Sequence, residues 1–182
     1  DTVYSYFIDA LTEEVVSDLQ TKLGCSETQA YQMLYSGGLR IYTTQDRRIQ
    51  KICDEEYNDP ANFPEGTTYA LDWALTVAHA DGTTKNYSRE MLQAWFRNSD
   101  PEFSYFFESE EEGQKAVEQY KAYLLEEGDT ITAERMTFSP QPQSSLVIMD
   151  QYTGYVKAIE GGRGKKTASL TLNRATDSYR QP

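Results

Sequence analysis

Enzymatic chemistry needs nucleophiles, proton carriers or metal ligands at workable spacing, and this chain has few places to look. His79 is its one histidine, so a hydrolytic relay would have to centre on it. It lies beside Asp81-Gly82, a turn signal, and reads as an ordinary surface residue. Scattered with Cys25 and Cys53, it has no paired spacing for zinc. The run "ESEEE" (108–112) suggests carboxylate chemistry or a cation site. Acids at a helix start complement the macrodipole, however, and Ser109 with Glu112 forms a capping box, so a helix N-terminus is the better reading.

"GRGKKT" (162–167) fails as a phosphate loop, because Ile159 stands where the first glycine of that motif is required. Lys166-Thr167-Ala168 is one residue away from the Lys-Thr-Gly of serine acyltransferases, but these also need Ser-x-x-Lys, which occurs nowhere in the chain. A mobile, lysine-rich loop is what remains. Residue chemistry alone therefore yields no active site.

The elements that would position such groups form an α+β pattern without a βαβ rhythm. Leu11, Val15, Val16, Leu19 and Leu23 recur at helical spacing, with Thr12 as N-cap and Gly24 as stop. Ser26 and Gln29 make a capping box for a helix ending at Ser36-Gly37-Gly38. "LRIYTT" (39–44) alternates as a half-buried strand, and Asp46 caps a helix that turns Ile49, Ile52, Cys53 and Tyr57 inward until Asp59-Pro60. Tyr69, Leu71, Trp73, Leu75 and Val77 line one face of a strand, and Asp81-Gly82 turns it into "TTKNY". Ser88 caps a helix with Met91, Leu92, Trp95 and Phe96; another runs from Ser109 to Gly128 with Ala116, Val117, Tyr120 and Leu124 inward. Residues 130–138 read as a strand, 139–143 as an extended linker, and "SSLVIMD" with "GYVKAIE" as a hairpin.

The 182 residues are enough for a real core, about 70% of the unfolded surface being buried at this size. The net charge of −12 argues against nucleic acid as a partner. Charge is uneven: from Asp100 to Asp129 ten acids face two lysines, whereas from Gly154 to Pro182 six bases face two acids. No run approaches the ~18–20 apolar residues of a membrane helix. Cys25 and Cys53 are compatible with a disulfide or with two free thiols.

Two segments resemble class A penicillin-binding proteins. "SGGLRIYTTQDRRIQKICDEEY" (36–57) is similar to the linker between their glycan polymerase and transpeptidase domains, with Gln45 where the family usually has Leu. Residues 144–163 and 172–182 resemble the opening of the transpeptidase domain. There an Asp-x-x-Thr-Gly turn (Asp150, Thr153, Gly154) is followed by a Gly-Gly loop (Gly161, Gly162) and an Asn-Arg-Ala element (Asn173, Arg174, Ala175). Arg180-Gln181-Pro182 matches the residues that precede the family's nucleophilic serine.

The resemblance implies a helical and strand linker over 1–59, a hairpin-containing insertion over 60–140, and the first antiparallel strands of a penicillin-binding transpeptidase sheet over 141–182. It implies a parent enzyme that polymerises glycan and cross-links stem peptides, and that takes up β-lactams at the same serine. That serine is expected just after Pro182, beyond which the Ser-x-Asn and Lys-Thr-Gly motifs are also expected, so no catalytic residue falls in this chain. No metal or cofactor is implied here; a divalent cation belongs to the parent's glycan polymerase. An N-terminal anchor would tie the parent to the outer face of the cytoplasmic membrane, this chain's only membrane link. Leu146, Ile148, Val156 and Ile159 would lack cover and meet the rest of the transpeptidase domain or another copy. Two alternatives are a self-contained extracytoplasmic binding module without enzymatic activity, and recruitment of another cell-wall protein by residues 60–140.

Overall fold

The computed structural model describes residues 4–179. In chain order they form α1 (Tyr6–Leu23), α2 (Glu27–Ser36), α3 (Arg47–Asn58), β1 (Thr68–Ala78), β2 (Thr84–Ser88), α4 (Arg89–Phe96), β3 (Phe106–Phe107), α5 (Glu110–Leu124), β4 (Thr130–Gln141), β5 (Leu146–Met149) and β6 (Val156–Glu160), with a short 3-10 turn at Pro60–Asn62. The fold is α+β with antiparallel sheets. It divides into two compact units, one from residues 63–142 and one from the residues on both sides of that stretch.

In the unit 63–142, β1 is the central strand. β4 pairs with its whole length, β2 with Ala74–Ala78, and β3 with Tyr69 and Ala70. Alternation decides the faces: Leu71, Trp73, Leu75 and Val77 are all no more than 1% exposed and meet Leu92 of α4 and Val117 and Tyr120 of α5. The opposite face carries small and polar side chains, among them the Asp72–Arg135 ion pair at 2.7 Å. Gly82, at φ +83°, makes the β1–β2 turn that Asp81-Gly82 predicts. Gly113 of α5 admits no side chain, because a Cβ would meet the Phe138 ring and lie 3.0 Å from Phe107.

Several expectations are corrected in this unit. β4 runs on through Ser139–Gln141, predicted as a linker, because β1 begins at Thr68 and offers them ladder partners. α5 stops at Leu124; Gly128 instead makes the turn into β4 at φ +93°. Ser109 caps α5 as predicted, but Glu112 accepts from the Glu108 N–H, one residue before the expected reciprocal bond. His79 is no ordinary surface residue. Its Nδ1 lies 2.8 Å from the buried Asp129 carboxylate and its Nε2 lies 3.1 Å from the Tyr87 hydroxyl. It joins the β1–β2 hairpin to the turn before β4.

In the other unit, α1 and α3 pack against β6, the inner strand of the β5–β6 hairpin, and α2 packs on α1. Ser26 and Gln29 form both bonds of the predicted capping box, and Asp46 caps α3 through the N–H groups of Arg48 and Ile49. α1 starts at Tyr6, not after Thr12, which is buried within the helix; Phe7 and Asp9 face inward with it. In α3 Cys53 is buried as predicted and Gln50 is buried with it, while Ile52 is 58% exposed. "LRIYTT" is not a strand: residues 39–43 have no ladder partner among the described residues, and only Thr44 and Asp46 bond to β6. Ile159 is covered within the chain, and the hairpin instead exposes Val147 and Met149. Cys25 and Cys53 are free thiols.

Candidate functional site

The residues singled out by sequence fall at the two ends of the β5–β6 hairpin. At its tip, Asp150 Oδ1 accepts the N–H groups of Tyr152 (2.9 Å) and Thr153 (3.1 Å), and these bonds hold its carboxyl below the usual range. The Thr153 hydroxyl accepts the Tyr155 N–H, and Gly154, at φ +73°, closes the turn. Asp-x-x-Thr-Gly is thus turn chemistry. β6 separates it from the second group, so the structure does not bring the two together.

The second group does converge. Gly161 and Gly162 leave β6 buried, and residues 173–177 fold back on them. The Arg174 N–H donates to Gly161 O at 3.0 Å. Asn173, 3% exposed, accepts the Ala175 N–H on Oδ1 and donates its own N–H to Asp177 Oδ2. Space is tight at both glycines, and most at Gly161. A Cβ on Gly161 would strike Asn173 Oδ1 and the Tyr6 ring; one on Gly162 would lie 2.9 Å from Arg174 Nη1 and 3.0 Å from Gln143 Oε1. Gly161, Gly162, Asn173, Arg174 and Ala175 therefore form one packed junction. Arg180, Gln181 and Pro182 lie outside the described residues.

Several residues of this site escape sequence reasoning. Tyr6, from α1, lies against both glycines, and burial raises its hydroxyl pKa. Glu160 is buried at the end of β6, where its Oε1 accepts from the Gln50 amide at 2.7 Å. Burial, then the neighbouring Asp54, push its pKa up to about 9, so it is a neutral acid at pH 7. Lys166, predicted to sit in a mobile loop, has a side chain only 6% exposed and paired with Asp9 of α1 at 2.7 Å. The available signal was an acid on the inward stripe of a helix: Asp9, Thr12 and Val16 are all buried.

The site can hold and aim a loop, but the described residues contain no activated nucleophile. Lys166 Nζ donates to Thr171 Oγ1 as well as to Asp9, the behaviour of a tether. No three His, Cys, Asp or Glu side chains among the described residues converge as metal ligands would, and no described helix is long and apolar enough to cross a membrane.

Comparison with known proteins agrees with the motif resemblance. The chain is 26% identical over 179 residues to Penicillin-binding protein 1A of Clostridium tetani, a match covering 98% of the chain. It is 24% identical to Penicillin-binding protein 1A of Clostridium botulinum (98% of the chain) and 25% identical to that of Clostridium perfringens (96%). The chain spans only 14%, 13% and 14% of these relatives' own length. A match of that extent includes the middle of the chain, so residues 60–140 are not peculiar to it. No family model matches the chain, and no solved structure does.

Proposed function

We propose that this chain is the part of a class A peptidoglycan synthase that joins the glycan polymerase to the transpeptidase and opens the transpeptidase domain. The observation that carries this is the similarity to clostridial penicillin-binding proteins 1A over 96–98% of the chain, and the family-like motifs at 36–57, 144–163 and 172–182 point the same way. The packed junction of Gly161 and Gly162 with Asn173 and Arg174 supports it, since motifs eleven or more residues apart then act as one structural device.

In this role the chain is a scaffold and makes or breaks no bond itself. A serine following the 173–179 segment attacks the D-alanyl–D-alanine carbonyl of a stem peptide, a lysine one helical turn on takes its proton, and backbone amides hold the oxyanion. A second amine then resolves the acyl-enzyme, and a β-lactam is trapped at the same serine. Residues 63–142, with a core of their own, are a unit inserted between linker and transpeptidase. The parent works at the outer face of the cytoplasmic membrane.

Fluorescent penicillin tests this. The intact parent is expected to take a covalent label that boiling in detergent does not remove, and the 182-residue chain to take none. A parent that is never labelled removes the family reading, and a labelled chain removes the scaffold role.

A further inference from the structure

The loop after Gly162 has neither helix nor strand to hold it; Gln143 holds Arg163, the Gly164 N–H donates to Tyr57 O, and beyond these α1 takes hold of it. Asp9 Oδ2 accepts from Lys166 Nζ and from the Leu170 N–H, each at 2.7 Å. The two charged side chains are 10% and 6% exposed, so neither has water to fall back on. Lys166 Nζ also stands 4.2 Å over the Tyr6 ring, and Asn173 Nδ2 points at Tyr6 O. Leu170 has φ +51°, a left-handed backbone that a leucine adopts only under constraint. Its side chain is 48% exposed, so packing does not impose that conformation. Its N–H is held by the bond to Asp9.

We propose that Asp9, supported by Tyr6, is a positioning residue: by gripping Lys166 and Leu170 together it makes α1 set the path of residues 161–177, and so the place of the nucleophile that follows them. The role in catalysis rests on the function proposed above; the grip itself does not. A carboxylate on α1 thereby couples the linker helix to the loop that enters the active site. Displacing α1 frees Leu170 to leave its left-handed conformation, and the loop lengthens toward an ordinary extended path.

Two measurements decide it. In the 182-residue chain, amide hydrogen exchange at Leu170 is expected to speed up about 10- to 100-fold in Asp9→Ala, the loss of one hydrogen bond to a charged acceptor, while the β6 amides keep their protection. Unchanged exchange at Leu170 overturns the grip. In the intact parent, Asp9→Ala is expected to lower the saturating rate of penicillin acylation about 10- to 100-fold with little change in apparent Kd, as misplacement of a reacting group does. Leu170→Gly, which holds φ +51° without strain, is expected to restore part of that rate in the Asp9→Ala background. A general loss of stability would instead lower the fraction of parent that takes label at saturation, not the rate at which the folded fraction is acylated. Acylation at the wild-type rate in Asp9→Ala, or no recovery in the double variant, overturns the positioning role. A wild-type parent that takes no penicillin removes the family reading and the catalytic role with it, while the exchange measurement still decides the grip.

Discussion

Gln50 and Glu160 stand 110 positions apart in the chain, and the Gln50 side-chain amide donates to Glu160 Oε1 at 2.7 Å. Asp54 Oδ1 at 2.8 Å and Ile159 O at 3.1 Å share the two N–H groups of this amide with Glu160, and its oxygen accepts the Ile159 N–H at 3.0 Å. Through this one side chain α3 substitutes for a neighbouring strand along the outer edge of β6, with Thr44 and Asp46 continuing the pattern toward Val156 and Lys157. Two consequences of this arrangement can be measured, and two further predictions concern the unit 63–142.

Glu160 makes the chain sensitive to alkali. Its folded-state pKa of about 9 lies far above the ordinary 4.5, so between these values the folded state keeps a proton that the unfolded state has lost. Its contribution to stability is full below pH 4.5, declines as pH rises through this window, and is exhausted above 9. Glu160→Gln keeps the shape and the bonds to Gln50 and Asp54 without the proton. Melting temperatures from pH 4 to 10 are expected to diverge from wild type as pH rises, with the variant the more stable at pH 8; parallel curves would contradict this.

Gln50→Ala strips β6 of its edge partner. The N–H and C=O of Ile159 lie in a buried residue, and leaving both unpaired is expected to cost about 3 kcal/mol, visible as a lower urea midpoint. Ile52→Ala, on the exposed side of the same helix, is expected to change it by less than about 1 kcal/mol.

Gly113→Ala sets two effects against each other. Helix propensity favours alanine by about 1 kcal/mol. The new methyl group would run into the Phe138 ring and lie within 3.0 Å of Phe107, and overpacking of this kind costs ~1–3 kcal/mol. The clash is expected to win, so thermal unfolding should begin at a lower temperature; a stabilised variant would mean that the rings move aside freely.

Asp129 makes the β1–β2 hairpin acid-sensitive. Its carboxyl is held below the usual 3.8, chiefly by the Glu126 N–H, then by the Ala80 N–H and His79. A depressed acid stabilises the fold above its unfolded pKa, and the contribution is lost as pH falls through the folded value. Asp129→Asn is therefore expected to lower stability at pH 7 and to narrow its gap to wild type as pH falls below 3.8 in acid titrations followed by tryptophan fluorescence.

Much of this fold is local and could be read directly. The alternation from Tyr69 to Val77 marks a strand buried on one face, because side chains on a strand switch sides at every residue. Asp46, Ser26 and Asp81-Gly82 act within three or four residues of themselves, so their caps and turn are legible from neighbours alone. The junction motifs, too, stand in the sequence as Gly161-Gly162 and Asn173-Arg174.

The rest needed partners far along the chain. "LRIYTT" has strand composition, but a strand exists only where another backbone completes its ladder, and here β6 offers bonds only at Thr44 and Asp46. Ser139–Gln141 lack strand composition, yet β1 supplies the ladder. Lys166 looks like a solvated loop lysine and Glu160 like a solvated strand end; burial against Asp9 and Gln50 decides otherwise. Local periodicity, caps and turns are properties of contiguous residues, and the amino-acid order determined them. Which charges lose their water, and which edges find a partner, are properties of contacts between residues far apart in the chain, and only the folded chain decided those.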